Sequence, residues 1–157
     1  MSTDLTRNDA ARRLASYMRE HIPLVVQMQV SVATLDDSGL TLTAPLAPNI
    51  NHERTAFGGS LASLLTLACW GYLWTLLDEG RGLRIVVKDA QLEYLRPVTG
   101  TLEAHCPPAD AEALQRFRDT LARRGKARIG LKAEMRQDEI VAARYAGSFA
   151  VIRESGA

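Results

Sequence analysis

Apolar and polar positions alternate with changing period along this chain, and the changes mark nine elements. Leu14, Tyr17 and Met18 recur at helical spacing and predict a first helix from a cap at Ser2 or Thr3 to about Glu20, stopped by Pro23. From Val25 to Leu35 the pattern changes to alternation rich in β-branched residues, with Val26, Met28, Val30 and Val32 on one side, which predicts a strand. Asp36-Asp37-Ser38-Gly39 reads as a turn, and Leu40, Leu42 and Ala44 alternate with Thr41 and Thr43 as the second arm of a hairpin. After a loop framed by Pro45 and Pro48 comes an apolar run, Leu61 to Leu77, without a single Asp, Glu, Lys or Arg. It predicts a buried helix from about Gly59 to Leu77, ended by Asp78-Glu79-Gly80-Arg81-Gly82. Beyond it the pattern predicts strands over Arg84–Leu95 and Thr101–His105 and an amphipathic helix over Asp110–Arg124 with Leu114, Phe117 and Leu121 on one face. Two last strands follow, over Ala127–Arg136 and Ile140–Ile152.

A helix with no polar face must be covered on nearly all sides. In an α-β-β-α-β-β-α-β-β order, an antiparallel sheet curled around that helix provides the cover, so the expected class is α+β in one unit spanning residues 1–157. Composition adds exclusions. The formal net charge of +1 gives no bulk attraction for nucleic acid. Cys69 and Cys106 stand far apart with no metal-like spacing, and His21, His52 and His105 show none either, so neither a metal nor a cofactor is expected. The charged, amphipathic N-terminus does not fit a signal peptide, and free thiols suit a reducing cytoplasm. The uncharged run has the length of a membrane span, but Gly-Gly-Ser at its start and Ser63, Thr66, Gly71 and Thr75 within it favour a soluble core helix, hence no membrane.

The candidate chemistry lies just before that helix, in Asn49-Ile50-Asn51-His52-Glu53-Arg54-Thr55-Ala56-Phe57-Gly58-Gly59-Ser60. The first amides of a helix lack intrahelical partners and carry the positive end of its dipole. Glycines there let a ligand approach them, so Gly58 and Gly59 could bind an oxyanion. The plainer use of the same residues is tight packing, with Asn51 and Ser60 as caps.

Specific segments carry a resemblance. Asn51, six residues before Phe57-Gly58-Gly59, is similar to the Asn-(x)5-His-Gly-Gly arrangement of phenylacetyl-CoA-type hotdog thioesterases. Glu93-Tyr94-Leu95-Arg96-Pro97 resembles their acidic-aromatic-Leu-Arg-Pro signature. Ile22-Pro23-Leu24, Ala44-Pro45-Leu46-Ala47-Pro48-Asn49-Ile50-Asn51, Thr55-Ala56-Phe57-Gly58-Gly59-Ser60-Leu61, Lys88-Asp89 and Gly125-Lys126-Ala127-Arg128-Ile129 resemble a narrower family. Its bacterial prototype joins an acetyltransferase-like domain to a C-terminal hotdog domain. The likeness runs from about His21 onward, which implies the stand-alone hotdog form. It implies action on acyl thioesters of acyl carrier protein or coenzyme A. Within that class it points to malonyl-acyl-carrier-protein decarboxylation, giving acetyl-carrier protein for fatty-acid synthesis, with an Asn ahead of the central helix as the important residue.

Departures from the thioesterase pattern bear on the reaction. Phe57 stands where those enzymes have His, and their helix carboxylate falls on Thr66. Hydrolysis needs a group that activates water or attacks the thioester. Decarboxylation of a malonyl thioester needs only donors for the enolate in a dry site, which an Asn amide and helix amides supply. Asn51 is expected to donate to the thioester oxygen or the carboxylate, with Asn49 as the competing amide in the same loop. Gly58 N–H would complete the hole and Gly59 would permit the approach. Gly58 and Thr66 stand eight residues apart, roughly 12 Å along a helix, so both serve one site only if Thr66 comes from a second subunit. A homodimer or dimer of dimers is therefore expected.

Several residues have two uses open to them. Asn51 could instead close an Asx-turn and Thr66 could bond back to its own helix. His52 could orient Asn51 or be solvated, Asp89 could reach the partner's site or act as a base or else pair with Lys88, Arg84 or a neighbour, Phe57 borders the substrate or packs, and Ser60 borders the substrate or caps the helix. Arg123, Arg124, Lys126 and Arg128 form a basic stretch that is either a solvated face or a dock for an acidic carrier protein or for coenzyme A phosphates. Hydrolysis with Asp89 or a loop-held water, and a non-catalytic carrier-binding module, are the competing functions.

Overall fold

The computed structural model of the chain describes residues 2–156, with side chains from residue 5 onward. The expected cap at Ser2 or Thr3 lies outside those side chains. Helix α1 spans Ser2–His21 and buries Leu14 and Met18 of the apolar face expected of Leu14, Tyr17 and Met18, while Tyr17 stays 36% exposed. Arg7 and Arg13 tie it at its edges to Asp37 and Glu79.

The next segment corrects the reading of Val25–Leu35 as one strand. Pro23–Met28 is a short helix, α2, and only Ser31–Asp36 is strand β1. Pro23 at the first turn presets a helical φ and needs no donor there. Gln29, at φ 58°, then ends the helix in the left-handed region, its N–H on the Val25 and Val26 carbonyls. The face that matters is Val25 with Met28, three apart and both buried, while Val26 is 52% exposed. The alternation had grouped the wrong residues.

Strand β2 (Gly39–Ala44) closes the expected hairpin with β1. Helix α3 runs Gly58–Leu76, one residue ahead of the predicted span, and ends where Asp78, Glu79 and Gly80 adopt positive φ. Then follow β3 (Leu83–Tyr94), β4 (Leu102–Cys106), α4 (Ala111–Arg124), β5 (Lys126–Gln137) and β6 (Ile140–Arg153). Asp110 caps α4 by accepting from Ala113 N–H at 2.9 Å, and Phe117 and Leu121 turn inward from it. All six strands form one antiparallel sheet in the order β1-β2-β4-β5-β6-β3.

The sheet curls around α3, whose Leu61, Leu64, Leu65, Ala68, Cys69 and Leu73 meet the inward residues of β2, β4, β5 and β6. Helix α3 is long and apolar enough to cross a bilayer by length and composition, but its apolar surface is used against the sheet. Gly71 lets α1 and β2 come close, since a Cβ there would sit 3.0 Å from Leu40 and 3.3 Å from Leu14. On the far side Tyr17 of α1 stacks with Trp70 and packs tilted against Trp74, and Trp70 Nε1 donates to the Ile85 carbonyl of β3 at 3.2 Å. Cys69 and Cys106 are both free and buried, and contact with Cys106, together with burial, pushes the Cys69 thiol far up, as expected of an unreactive core thiol.

Strand β3 is an edge. Its burial alternates only at its start, and from Val86 to Gln91 every residue is exposed, including Val86 and Val87. Lys88 forms a bulge between Val87 and Asp89.

Candidate active site

Asn49 ends a short 3-10 turn, Ala47–Asn49, and is 98% buried, its residual exposure being 2%. Its amide nitrogen donates to the Met28 carbonyl at 3.0 Å and the Pro45 carbonyl at 2.8 Å, so the end of α2 and the loop are pinned together. The buried Oδ1 has no partner. Asn51 is half-buried, and its Oδ1 accepts from Glu53 N–H at 2.9 Å and Thr55 N–H at 3.0 Å, while Nδ2 donates to Thr55 Oγ1 at 2.9 Å. That is the Asx-type arrangement, and it also orders residues 51–55, where Arg54 takes φ 64°. An amide nitrogen carries two hydrogens, so Asn51 keeps one N–H uncommitted and Asn49 keeps none. The loop closes by Phe57 N–H on the Asn49 carbonyl at 2.7 Å and Ala56 N–H on Val98 at 2.8 Å.

This loop delivers the chain into α3 with Phe57 at the N-cap position and no side-chain cap. Ser60 and Leu61 N–H both turn back to the Phe57 carbonyl, at 2.9 and 3.1 Å, and the Gly58 and Gly59 amides meet no acceptor among the described residues. Two unbonded N–H groups at the positive end of a helix of 19 residues form an oxyanion-type donor pair. Tyr94 reaches over from β3 and donates its hydroxyl to the Gly58 carbonyl at 3.1 Å. A Cβ on Gly58 would be in ordinary contact, 3.6 Å from that ring, whereas one on Gly59 would strike the Phe57 ring at 2.5 Å. Phe57 is 57% exposed and lies against the helix start. His52 is exposed, beside Glu53 at 3.3 Å, and makes no hydrogen bond to the Asn51 side chain. Ser60 does not cap the helix.

Thr66 sits two turns further on, half-buried. Ser63, Thr75 and Thr120 bond back to their own helices, but the Thr66 hydroxyl does not. It lies instead against Tyr145 of β6, a residue the pattern of alternation gave no reason to single out. The Tyr145 phenol is buried and has no partner at hydrogen-bonding geometry. Its pKa is raised, first by burial, with the Thr66 hydroxyl acting in the opposite direction, so it stays neutral. Gly147, two residues on, makes room, since a Cβ there would be 2.6 Å from the Tyr145 hydroxyl; an aromatic-x-Gly pair in a strand was the available signal. Asp89 is exposed on β3 opposite Ser148 and makes no ion pair among the described residues, contrary to the pairing with Lys88 or Arg84 weighed above.

The loop, the two free amides and Tyr94 thus come together at one end of α3, while Thr66 lies two turns further along the helix against Tyr145, which stands opposite Leu92, and Asp89 stands opposite Ser148 in the middle of β3. Arg124, Lys126 and Arg128 gather on the other face of the sheet, joined by Lys88, and Arg123 is not among them. Among the described residues no three His, Cys, Asp or Glu side chains come together as a metal site.

Known proteins share this architecture. A protein of unknown function from Chlorobaculum tepidum superposes with a TM-score of 0.88 at 32% identity, over 94% of this chain and 97% of that one. A putative thioesterase from Shewanella oneidensis does so with a TM-score of 0.79 at 31% identity, over 92% and 99%. The phenylacetic acid degradation protein PaaI from Thermus thermophilus shares the fold, at 20% identity and a TM-score of 0.59, over 83% and 98%. Residues 11–153 match the family described as "Putative thioesterase (yiiD_Cterm)". With its curled sheet, central helix and uncapped Gly-Gly helix start, the chain belongs to that hotdog-fold family of acyl-thioester proteins.

Proposed function

We propose that the protein decarboxylates a malonyl thioester, malonyl-acyl carrier protein in the first place, to the acetyl thioester. One observation carries this reading: α3 opens with two free amides and contains no carboxylate along its length. In the reaction the bond between the carboxylate carbon and Cα breaks and CO₂ leaves. The electron pair moves onto the thioester carbonyl oxygen as an enolate, and a proton from solvent then returns to carbon. The enolate oxygen is held by Gly58 N–H and the remaining Asn51 N–H, donors that need no reorganisation because the loop already fixes them. The bare Gly58 and Gly59 surface admits the substrate, with Phe57 beside it. Thr66, whose hydroxyl is not bonded to its own helix, faces the carboxylate from a second subunit, and no cofactor enters.

That subunit pairs through β3. An edge strand of 12 residues with exposed Val86 and Val87 is an unprotected template for another strand. Antiparallel addition of a second copy satisfies its backbone and covers both valines, and a dimer of dimers is a further step. The reaction belongs to the cytoplasm, where carrier-bound malonyl groups are used.

Hydrolysis is the second reading, favoured by Asp89, a carboxylate without an ion-pair partner. A carrier-binding module without turnover is the third. Incubation with malonyl-carrier protein and with malonyl-coenzyme A, read by mass spectrometry beside a thiol reagent, decides. Loss of CO₂ with the thioester intact, and a drop of about 10²–10³ in kcat for Asn51→Ala, is the expected outcome. Free thiol with malonate would replace it by hydrolysis, and no product from either thioester would leave the binding module.

A further inference from the structure

Among the described residues two buried side-chain polar atoms lack a hydrogen-bond partner, Asn49 Oδ1 and the Tyr145 hydroxyl. Asn49 is anchored by its amide nitrogen on two carbonyls, whereas the hydroxyl is the one polar atom of the Tyr145 side chain. Two other tyrosines show the usual outcome: Tyr94 donates to the Gly58 carbonyl, and Tyr72 accepts from Ala109 N–H, both at 3.1 Å. An orphaned buried hydroxyl is costly, and native interiors keep few of them. Tyr145 stands opposite Leu92 of β3 and Ala133 of β5. Its ring runs along β6, so that the hydroxyl comes within 2.6 Å of where a Gly147 Cβ would be. Gly147 stands opposite Ala90, an exposed residue of β3. The hydroxyl is thus carried to the level at which the β3 edge is bare, against Thr66.

Thr66 supplies the second half. Ala62, Ser63, Thr66 and Trp70 form a half-buried stripe along α3. Ser63 returns its hydrogen to the Gly59 carbonyl at 2.8 Å and Trp70 gives its own to the Ile85 carbonyl at 3.2 Å, but the Thr66 hydroxyl makes neither kind of bond. A threonine hydroxyl has one hydrogen to give and two lone pairs to accept with. Burial keeps the phenol neutral, with its hydrogen in place. Donation by the phenol to Thr66 Oγ1 uses a lone pair and leaves the Thr66 hydrogen free to point outward. The reverse order would strand the phenol hydrogen in the interior.

We propose that Tyr145 is a positioning residue for the reaction: its hydroxyl donates to Thr66 Oγ1 and thereby holds the Thr66 hydrogen on the carboxylate of the substrate. The inference rests on the decarboxylase reading, in which Thr66 meets that carboxylate, and adds to it a buried residue that the substrate never touches. Loss of CO₂ needs the breaking C–C bond to stand perpendicular to the plane of the thioester carbonyl, so that its electron pair enters the π system. A carboxylate on a fixed donor keeps that rotation, and one on a freely turning hydroxyl does not. Two hydrogen bonds in series also polarise each other in dry surroundings. Tyr145 and Thr66 belong to the same chain, so the pair is complete whichever way two chains associate.

The test is a double-mutant cycle with Tyr145→Phe and Thr66→Val, each of which removes a hydroxyl and keeps the bulk of the side chain. On a malonyl thioester, kcat/KM for CO₂ release is expected to fall about tenfold in Thr66→Val and about fivefold in Tyr145→Phe, and the double variant should stay within about twofold of Thr66→Val. Thr66→Ser keeps a hydroxyl and should keep most of the activity together with its dependence on Tyr145. The urea midpoint of Tyr145→Phe at neutral pH should not fall, because the change removes an unpaired buried group. A merely structural role would lower midpoint and rate together and leave the two losses independent. Gly147→Ala displaces the phenol without removing it and serves should Tyr145→Phe not fold; it should slow the wild-type chain and leave Thr66→Val unaffected. Multiplying losses in the double variant, or full activity of Tyr145→Phe, overturn the proposal while CO₂ release by the wild-type protein leaves the decarboxylase standing. Free thiol with malonate from the wild-type protein rejects the decarboxylase; the same cycle on thiol release then upholds Tyr145 as the residue that holds Thr66 if the losses are coupled and overturns it if they are independent. No turnover of either thioester overturns both.

Discussion

Asn49 and Asn51 should fail differently when shortened. Asn49→Ala leaves the buried carbonyl of Met28 and the part-buried carbonyl of Pro45 without their donor, and is expected to cost about 1–3 kcal/mol of unfolding free energy in urea titration while the folded fraction keeps its turnover. Asn51→Ala loses an exposed turn and the uncommitted N–H, so stability changes less and turnover falls most; equal losses of both properties in the two variants would dissolve the distinction. Their identity as a pair was legible in the sequence, but which one keeps a free hydrogen depends on where α2 ends, and that end was misassigned. Tyr145 was legible only through the glycine two residues on, because a buried tyrosine in an alternating strand otherwise reads as core. Its pKa is raised in the folded state, so its contribution is fully present below the ordinary phenol value of about 10 and is lost as pH climbs from there through the raised value. Melting temperatures followed across that range should fall more steeply for the wild-type protein than for Tyr145→Phe, and parallel curves would remove Tyr145 from the alkaline transition.

At the level of elements, α3 was readable because its composition leaves no polar face and so permits only one environment. α2 was not, because six residues give barely two helical turns, and Val25 to Val32 fit a period of two as well as a period of three to four. Pro23 held the discriminating information, since it starts a helix as readily as it stops one. The packing of α3 gives a direct check on the close approach at Gly71. Gly71→Val would drive a branched side chain into Leu40 and Leu14, at an expected cost of about 1–3 kcal/mol or more, seen as a lowered midpoint in urea. Gly58→Ala, by contrast, meets only ordinary contact with Tyr94 and should fold normally, so a fall in its turnover would reflect obstruction of the free amide rather than instability.

For the molecule as a whole, the two sheet edges are treated differently: β1 is short and lies beside α1, while β3 is long and exposed at every residue from Val86 to Gln91. Val87→Asp is harmless to an isolated chain, where the side chain is already 42% exposed, but buries a charge in a β3-paired dimer. Sedimentation should show the variant as a folded monomer, and an undisturbed dimer would refute pairing at this edge. The strand order, too, could not be read from the chain. Alternation specifies which side of a strand faces the core, but the neighbour of each strand is decided by how the sheet closes on α3, and β3 beside β6 is a long-range partnership, from Tyr94 with Ala143 to Leu83 with Arg153. The junction of α1 with α3 has an experimental corollary. Both tryptophans of the chain, Trp70 and Trp74, lie in the one aromatic stack with Tyr17. Intrinsic fluorescence will therefore follow the seating of the N-terminal helix and stay silent on ligand arrival at the glycines, so an optical titration of the site needs a chromophore installed there, for which Phe57→Trp is the natural position.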